Sequence, residues 1–145
     1  MSSKATGISG RQGTAFHHVG FVVKSISEIG QDFARSIGAH WNGDIIHDPL
    51  QQARVSFFRS GGPETPAVEL VEPAGDQSPL HSFVAKGGGL HHVCYEVDNL
   101  QLQLEESRSS GSLVVKPPLP AVAFGGRLIA WVFTRHKLLL EYLER

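Results

Sequence analysis

The sequence predicts an α+β fold built from two tandem β-α-β-β-β modules. Three observations carry this. Extended and helical patterns run in the same order in both halves of the chain. Short motifs recur at almost constant spacing: Phe16-His17-His18-Val19 matches Leu90-His91-His92-Val93 at a distance of 74 residues, and Val68-Glu69-Leu70-Val71-Glu72 matches Leu140-Glu141-Tyr142-Leu143-Glu144 at a distance of 72. Four of the 8 histidines fall in two adjacent pairs. Nearly equal offsets at both ends of a unit are the mark of duplication, and the small drift is a change in loop length.

Residues 1–15 are small, polar and aperiodic, and an N-terminal mobile tail is expected there. Module one spans 16–73. Its first strand, Phe16 to Val23, is rich in aromatic and β-branched residues. Ser25-Ile26-Ser27-Glu28 has the capping-box form that opens a helix. Ile26, Ile29, Phe33 and Ile37 then recur at helical spacing, and Gly38 ends the run. Extended stretches follow at 39–46, 54–59 and 67–72, parted by His47-Asp48-Pro49 and Gly61-Gly62-Pro63. A linker at 74–89 holds a short helix, opened by Ser78-Pro79 and faced by Leu80, Phe83 and Val84. Module two spans 90–145. Leu90 to Val97 is its first strand. Asp98 is the expected cap of a helix carrying Leu100 and Leu104, with Gly111 as its stop. Stretches 113–115, 128–134 and 137–143 complete the repeat.

Composition narrows the function. At 145 residues and 41% hydrophobic content, the chain forms one domain with its own core. Lys+Arg at 13 against Asp+Glu at 14 leaves a net charge of -1, so nucleic acid and anionic membranes are poor partners. No apolar run approaches the roughly 20 residues of a bilayer span. Cys94 is the one cysteine, so no intrachain disulfide forms. A cytoplasmic protein acting on a small molecule is expected.

Strand side chains alternate between faces. In the first strand Val19, Phe21 and Val23 share the bulky face that the following helix covers, which leaves His18 on the inner face beside Gly20. The second module repeats this, with Val93, Tyr95 and Val97 under its helix and His92 and Cys94 inward. In the closing strands Glu69 and Glu141 lie opposite the apolar faces of Val68-Leu70 and Leu140-Tyr142. Each module thus offers one inward imidazole and one inward carboxylate. Each of these alone reads as an ordinary core histidine or solvated acid. Their agreement in position and face across the repeat points to a shared divalent cation, because two buried carboxylates need a compensating charge and two imidazoles with two carboxylates suit Co, Ni, Mn, Zn or Fe(II).

These residues resemble the vicinal oxygen chelate superfamily, which includes glyoxalases, bleomycin-resistance proteins, extradiol dioxygenases and methylmalonyl-CoA epimerases. The likeness runs from about Phe16 to Leu143 and is closest to the epimerases. Their "DHIGIAV" is similar to His17-His18-Val19-Gly20-Phe21-Val22-Val23, and their "IELLEP" to Val68-Glu69-Leu70-Val71-Glu72-Pro73. Their "DSPIAKFL…GGLHHIAFEVDD" is similar to the run from Asp76 to Asp98, and "LIEL" to Leu139-Leu140-Glu141-Tyr142. The resemblance implies one domain over 16–145 whose eight strands form a strongly curved, barrel-like mixed sheet with helices outside. It implies one divalent metal ion held by His18, Glu69, His92 and Glu141, and it implies a homodimer.

The implied activity is a metal-dependent isomerisation. A substrate with neighbouring oxygens, an acyl-CoA thioester or a hemithioacetal, is chelated and a proton moves through an enediolate. Glu141 is the expected base. Gln52 and Arg54 are the expected substrate contacts, with a solvated surface charge as the plainer reading of Arg54. An epimerase of the methylmalonyl-CoA type is the first expectation. A glyoxalase-type isomerising lyase (lactoylglutathione lyase) and a non-catalytic antibiotic-binding module are the alternatives. No acid appears between Gln51 and Ser56, where some epimerases carry a second base.

Overall fold

The structure, a computed structural model, describes residues 13–145. Most of the expected N-terminal tail lies outside the described residues. Eight strands and three helices follow: β1 (Thr14–Val22), α1 (Ile26–Ser36), β2 (Ile46–Asp48), β3 (Ala53–Phe58), β4 (Ala67–Pro73), α2 (Leu80–Ala85), β5 (Gly89–Val97), α3 (Leu100–Ser109), β6 (Leu113–Pro120), β7 (Leu128–Phe133) and β8 (Leu139–Glu144). A 3-10 turn, Val122–Phe124, joins β6 to β7. The strands form one mixed sheet in the order β2-β3-β4-β1-β5-β8-β7-β6. Pairs β1–β4 and β5–β8 are parallel and the other pairs antiparallel. The two modules therefore meet at the central β1–β5 pair, about a pseudo-twofold axis. Among the described residues no helix is long and apolar enough to cross a membrane.

The sheet curls until its two ends meet. Asp48 closes β2 at one edge, and its Oδ2 accepts a hydrogen bond from the Val122 amide beside the other edge at 3.0 Å. The convex face is covered by helices. Ile26 and Ala34 of α1 pack with Phe58 and Leu70, and Leu100 and Leu104 of α3 pack with Val97, Val132 and Tyr142. The concave face is left for the site.

The repeated Glu pairs have a division of labour. Glu69 and Glu141 point inward, while Glu72 and Glu144 anchor the helix of their own module. Glu72 Oε1 accepts from the Ile26 amide at 2.6 Å and Glu144 Oε2 from the Leu100 amide at 2.9 Å. A carboxylate at a helix N-terminus satisfies an amide that has no partner within the helix and complements the helix dipole. Glu72→Ala is expected to lower unfolding free energy by about 1–2 kcal/mol, read as a shifted urea midpoint at unchanged slope.

Several local expectations are corrected. Of the stretch 39–46, only Ile46 belongs to a strand. The one β-type pairing of residues 39–45 is a bridge between His40 and Arg59, because Asn42 Oδ1 accepts from the Asp44 amide at 2.9 Å and Gly43 turns the chain at φ +87; side chains join it to the sheet, Trp41 donating to Ser56 at 2.8 Å. Strand β2 instead uses Ile46–Asp48, including residues expected in a turn. The cap of α3 is Asn99, whose side chain accepts from the Leu102 amide at 3.0 Å. Asp98 is instead bonded to Arg145 at 2.6 Å. Ile29 is exposed, so α1 buries Ile26, Gly30 and Ala34. Strand β6 runs through Pro117 and Pro118, which an edge strand tolerates. Strand β1 begins at Thr14, paired with Val97.

Candidate metal centre and its cavity

His18, Glu69, His92 and Glu141 sit on the four central strands β1, β4, β5 and β8, and the structure brings all four together. His18 Nε2 lies 3.2 Å from His92 Nε2. It lies 3.3 Å from Glu69 Oε1 and 3.2 Å from Glu141 Oε1. His92 Nε2 lies 3.2 and 3.3 Å from the same two oxygens. Exposure is 0% for His18, 5% for Glu69, 4% for His92 and 3% for Glu141. One donor atom from each residue lies within 4.8 Å of all the others. Donors around a divalent ion at about 2.1 Å are separated by about 3.0–3.4 Å in common geometries, so the spacing fits one ion.

Electrostatics supports the fit. Burial works against charge on His18, but the carboxylates of Glu69 and Glu141 outweigh it and push its pKa up to about 10. Burial opposes charge on His92 too, and contacts with Glu141 and Glu69 push it up to about 8. Burial would raise Glu69 and Glu141, yet the two imidazoles hold both below the usual carboxylate range. Without a cation the cluster neutralises itself with protons, and a cation of charge 2+ replaces them. Glu141 Oε1 is buried without a hydrogen bond. It lies 3.2 and 3.3 Å from two Nε2 atoms that face each other, an arrangement that makes sense for donors aimed at a common point between them.

The first histidine of each pair is placed by a β-bulge. Between Phe16↔Tyr95 and His18↔Cys94 the β1 strand carries one extra residue, His17. Between Gly20↔His92 and Phe21↔Leu90 the β5 strand carries one extra residue, His91. A bulge re-aims its side chain, and both histidines turn inward. His17 meets the Phe124 ring at 5.3 Å, and His91 lines the cavity. His17 Nδ1 lies 2.8 Å from His18 Nδ1, and His91 Nδ1 lies 2.9 Å from His92 Nδ1. If each inner histidine presents a lone pair at Nε2, its hydrogen is on Nδ1 and is donated to its neighbour. The neighbours suit this role: burial and then the adjacent histidine's charge lower the pKa of both, that of His91 to about 4.

The room that Gly20 provides serves His92 rather than His18. A Cβ on Gly20 would lie 2.1 Å from His92 Cε1 and 2.6 Å from its Nε2. Cys94 is fully buried, and burial and then the nearby glutamates push its thiol pKa up, away from thiolate chemistry.

Glu69, His92 and Glu141 open onto a cavity of about 270 Å³ between the two modules. Neither Gln52 nor Arg54 lines it. Gln52 occupies a turn at φ 53. Arg54 Nε is bonded to Glu72 Oε2 at 2.6 Å, and Nη2 reaches Pro73 O at 3.3 Å. Gln51 takes the position expected of Gln52. Its Oε1 accepts from the Trp131 indole at 3.2 Å, while its buried Nε2 has no partner. Asp48 also borders the cavity. Its Oδ1 accepts from the amides of Leu50 and Gln51, and its Oδ2 from that of Val122. Trp131 stands edge-on to His92 at 4.7 Å. The sequence places Asp48 in a turn and Trp131 in the core or an interface, and nothing in the spacing of Asp48, Gln51 or Trp131 marks them as cavity residues.

The sequence matches the Glyoxalase/Bleomycin resistance protein/Dioxygenase superfamily over residues 17–131. The chain belongs to this superfamily. Within it, the chain is 26% identical over 118 residues to the ethylmalonyl-CoA/methylmalonyl-CoA epimerase of Cereibacter sphaeroides, covering 80% of this chain and 85% of the relative. It is 26% identical over 151 residues to the mitochondrial methylmalonyl-CoA epimerase of Dictyostelium discoideum, covering 99% and 86%. The crystal structure of methylmalonyl-CoA epimerase from Mycobacterium tuberculosis shares the fold, with a TM-score of 0.75 at 19% identity over 89% of this chain and 86% of that one.

Proposed function

We propose that this protein is a metal-dependent isomerase that removes and returns a proton on a carbon next to a carbonyl, through an enediolate, with an acyl-CoA thioester as substrate and epimerisation as the outcome. The observation that carries it is the buried Glu141 oxygen without a donor, set among three further converging donors and open to the cavity. The relatives named as methylmalonyl-CoA epimerases support the substrate class. His18, Glu69, His92 and Glu141 would hold one divalent ion, Co, Ni, Mn, Zn or Fe(II). Such an ion supplies Lewis-acid polarisation of a substrate carbonyl.

The rest of the chemistry falls to the chain. Glu141 takes the proton, its pKa kept low by the two imidazoles so that it is ionised at neutral pH. Glu69, its mate across the pseudo-twofold, also opens onto the cavity; held ionised at rest, it must first take a proton from water before returning one to the opposite face, while Glu141 gives its proton up to water. Gln51 Nε2 is a donor ready for a substrate oxygen. The aromatic walls exclude water. Glu141→Gln is expected to slow proton exchange by about 10²–10⁴-fold.

The test is deuterium wash-in at the α-carbon of methylmalonyl-CoA and its homologues in D₂O, with the divalent ions supplied one at a time. Exchange with inversion supports the proposal. Isomerisation of a hemithioacetal without thioester exchange would establish the glyoxalase-type reading instead, and inertness toward both would leave a binding protein.

A further inference from the structure

The cavity is lined by more apolar surface than proton transfer beside a carbonyl requires. Val55, Val71 and Phe83 face Phe124, Ile129 and Trp131 across it. Lys116 is the only lysine or arginine among the described residues that line it. Of the acids at its wall, Glu69 and Glu141 belong to the cluster, and both oxygens of Asp48 are occupied by backbone amides. A charged or strongly polar substituent entering this space would lose water and find few partners. An apolar one would gain about fourfold in affinity for each methylene buried. At about 270 Å³ the space is far larger than a methyl group.

We propose that the cavity takes an apolar group of several carbons, alkyl or aromatic, attached next to the chelating oxygens of the substrate. The substrate class is then compounds bulkier than a methyl-substituted thioester. This rests on the reading of the four-residue cluster as a chelating centre, and the specificity-determining residues are those of the apolar walls rather than the cluster itself.

Zinc-loaded protein titrated with acetohydroxamate, pentanohydroxamate and benzohydroxamate tests this, because the three share a chelating head and differ in the tail. The indole N–H resonance of Trp131, at the cavity wall, is the reporter. Affinity is expected to rise by about 60-fold from the two-carbon to the five-carbon ligand. Ala123→Phe, which narrows the cavity, is expected to erase that gain. Equal affinity along the series overturns the inference, as does equal affinity for glutaric monohydroxamate, whose five-carbon chain ends in a carboxylate. Should zinc fail to load, ethanol through pentanol on the metal-free protein run the same comparison at the same indole, and a flat series there overturns the inference. Thioester exchange is a separate readout. Exchange without tail dependence removes this inference and leaves the isomerase. Tail dependence without exchange removes the isomerase and leaves the preference of the cavity.

Discussion

Gly20→Ala is expected to weaken divalent-metal binding by about 100-fold or more while the protein remains folded. The added Cβ would stand 2.1 Å from His92 Cε1, so the ring must move. It has little freedom to do so inside the cavity wall, with Trp131 edge-on at 4.7 Å and His91 Nδ1 at 2.9 Å. Relief comes from swinging Nε2 away from His18, Glu69 and Glu141. Metal titration by calorimetry gives the affinity, and circular dichroism with a urea melt reports the fold; overpacking of this kind costs about 1–3 kcal/mol. The decisive comparison is the double variant. In a His92→Ala background Gly20→Ala should cost almost nothing further in the urea melt, since the clash it creates is with the ring already removed. A Gly20→Ala protein that binds the ion as well as the parent would refute the geometry of the centre.

The second large effect separates the two members of each histidine pair. His92→Ala removes one of four converging donors and is expected to abolish stoichiometric metal uptake. His91→Ala keeps all four donors and removes the partner of His92 Nδ1, together with ring contacts to Phe83 and Trp131. Loss of such an orienting contact typically costs 10–100-fold in affinity. His91→Gln, whose amide oxygen can accept the same hydrogen, should recover part of it. The ¹⁵N spectrum of the imidazoles reads the cause directly: the Nδ1–H form of His92 should dominate in the parent and in His91→Gln but mix with the Nε2–H form in His91→Ala. Equal metal loss in His91→Ala and His92→Ala would contradict the assignment of roles. His17 and His18 should repeat the pattern, because their Nδ1 atoms lie 2.8 Å apart.

The inward aim of His18, His92, Glu69 and Glu141 was legible because strand periodicity and duplication are both written in local residue order. The bulges were not. Strict alternation turns His17 and His91 away from their neighbours, and only the pairing of β1 with β5 shows where an extra residue is absorbed. The same limit explains Gln51. In a turn, one residue at positive φ reverses which glutamine faces inward, and Gln52 has φ 53. Arg54 looked like a substrate contact because its partner, Glu72, lies 18 residues away on the neighbouring strand. Asp48 read as a turn residue, yet its carboxylate reaches the Val122 amide 74 residues on. Contacts set by the closure of the sheet leave no periodic trace along the chain.

Covalent linkage of the duplicated halves bears on how a ligand is oriented. Two separate identical modules would surround the centre with identical surroundings, and a bound molecule would present either side with equal ease. In a single chain the copies have been free to drift: Gly20 on one strand corresponds to Cys94 on the other, and the walls contributed by each half differ. A nearly symmetric set of donors is thereby enclosed in an asymmetric mould, so a bound molecule has one preferred orientation about the axis instead of two equivalent ones.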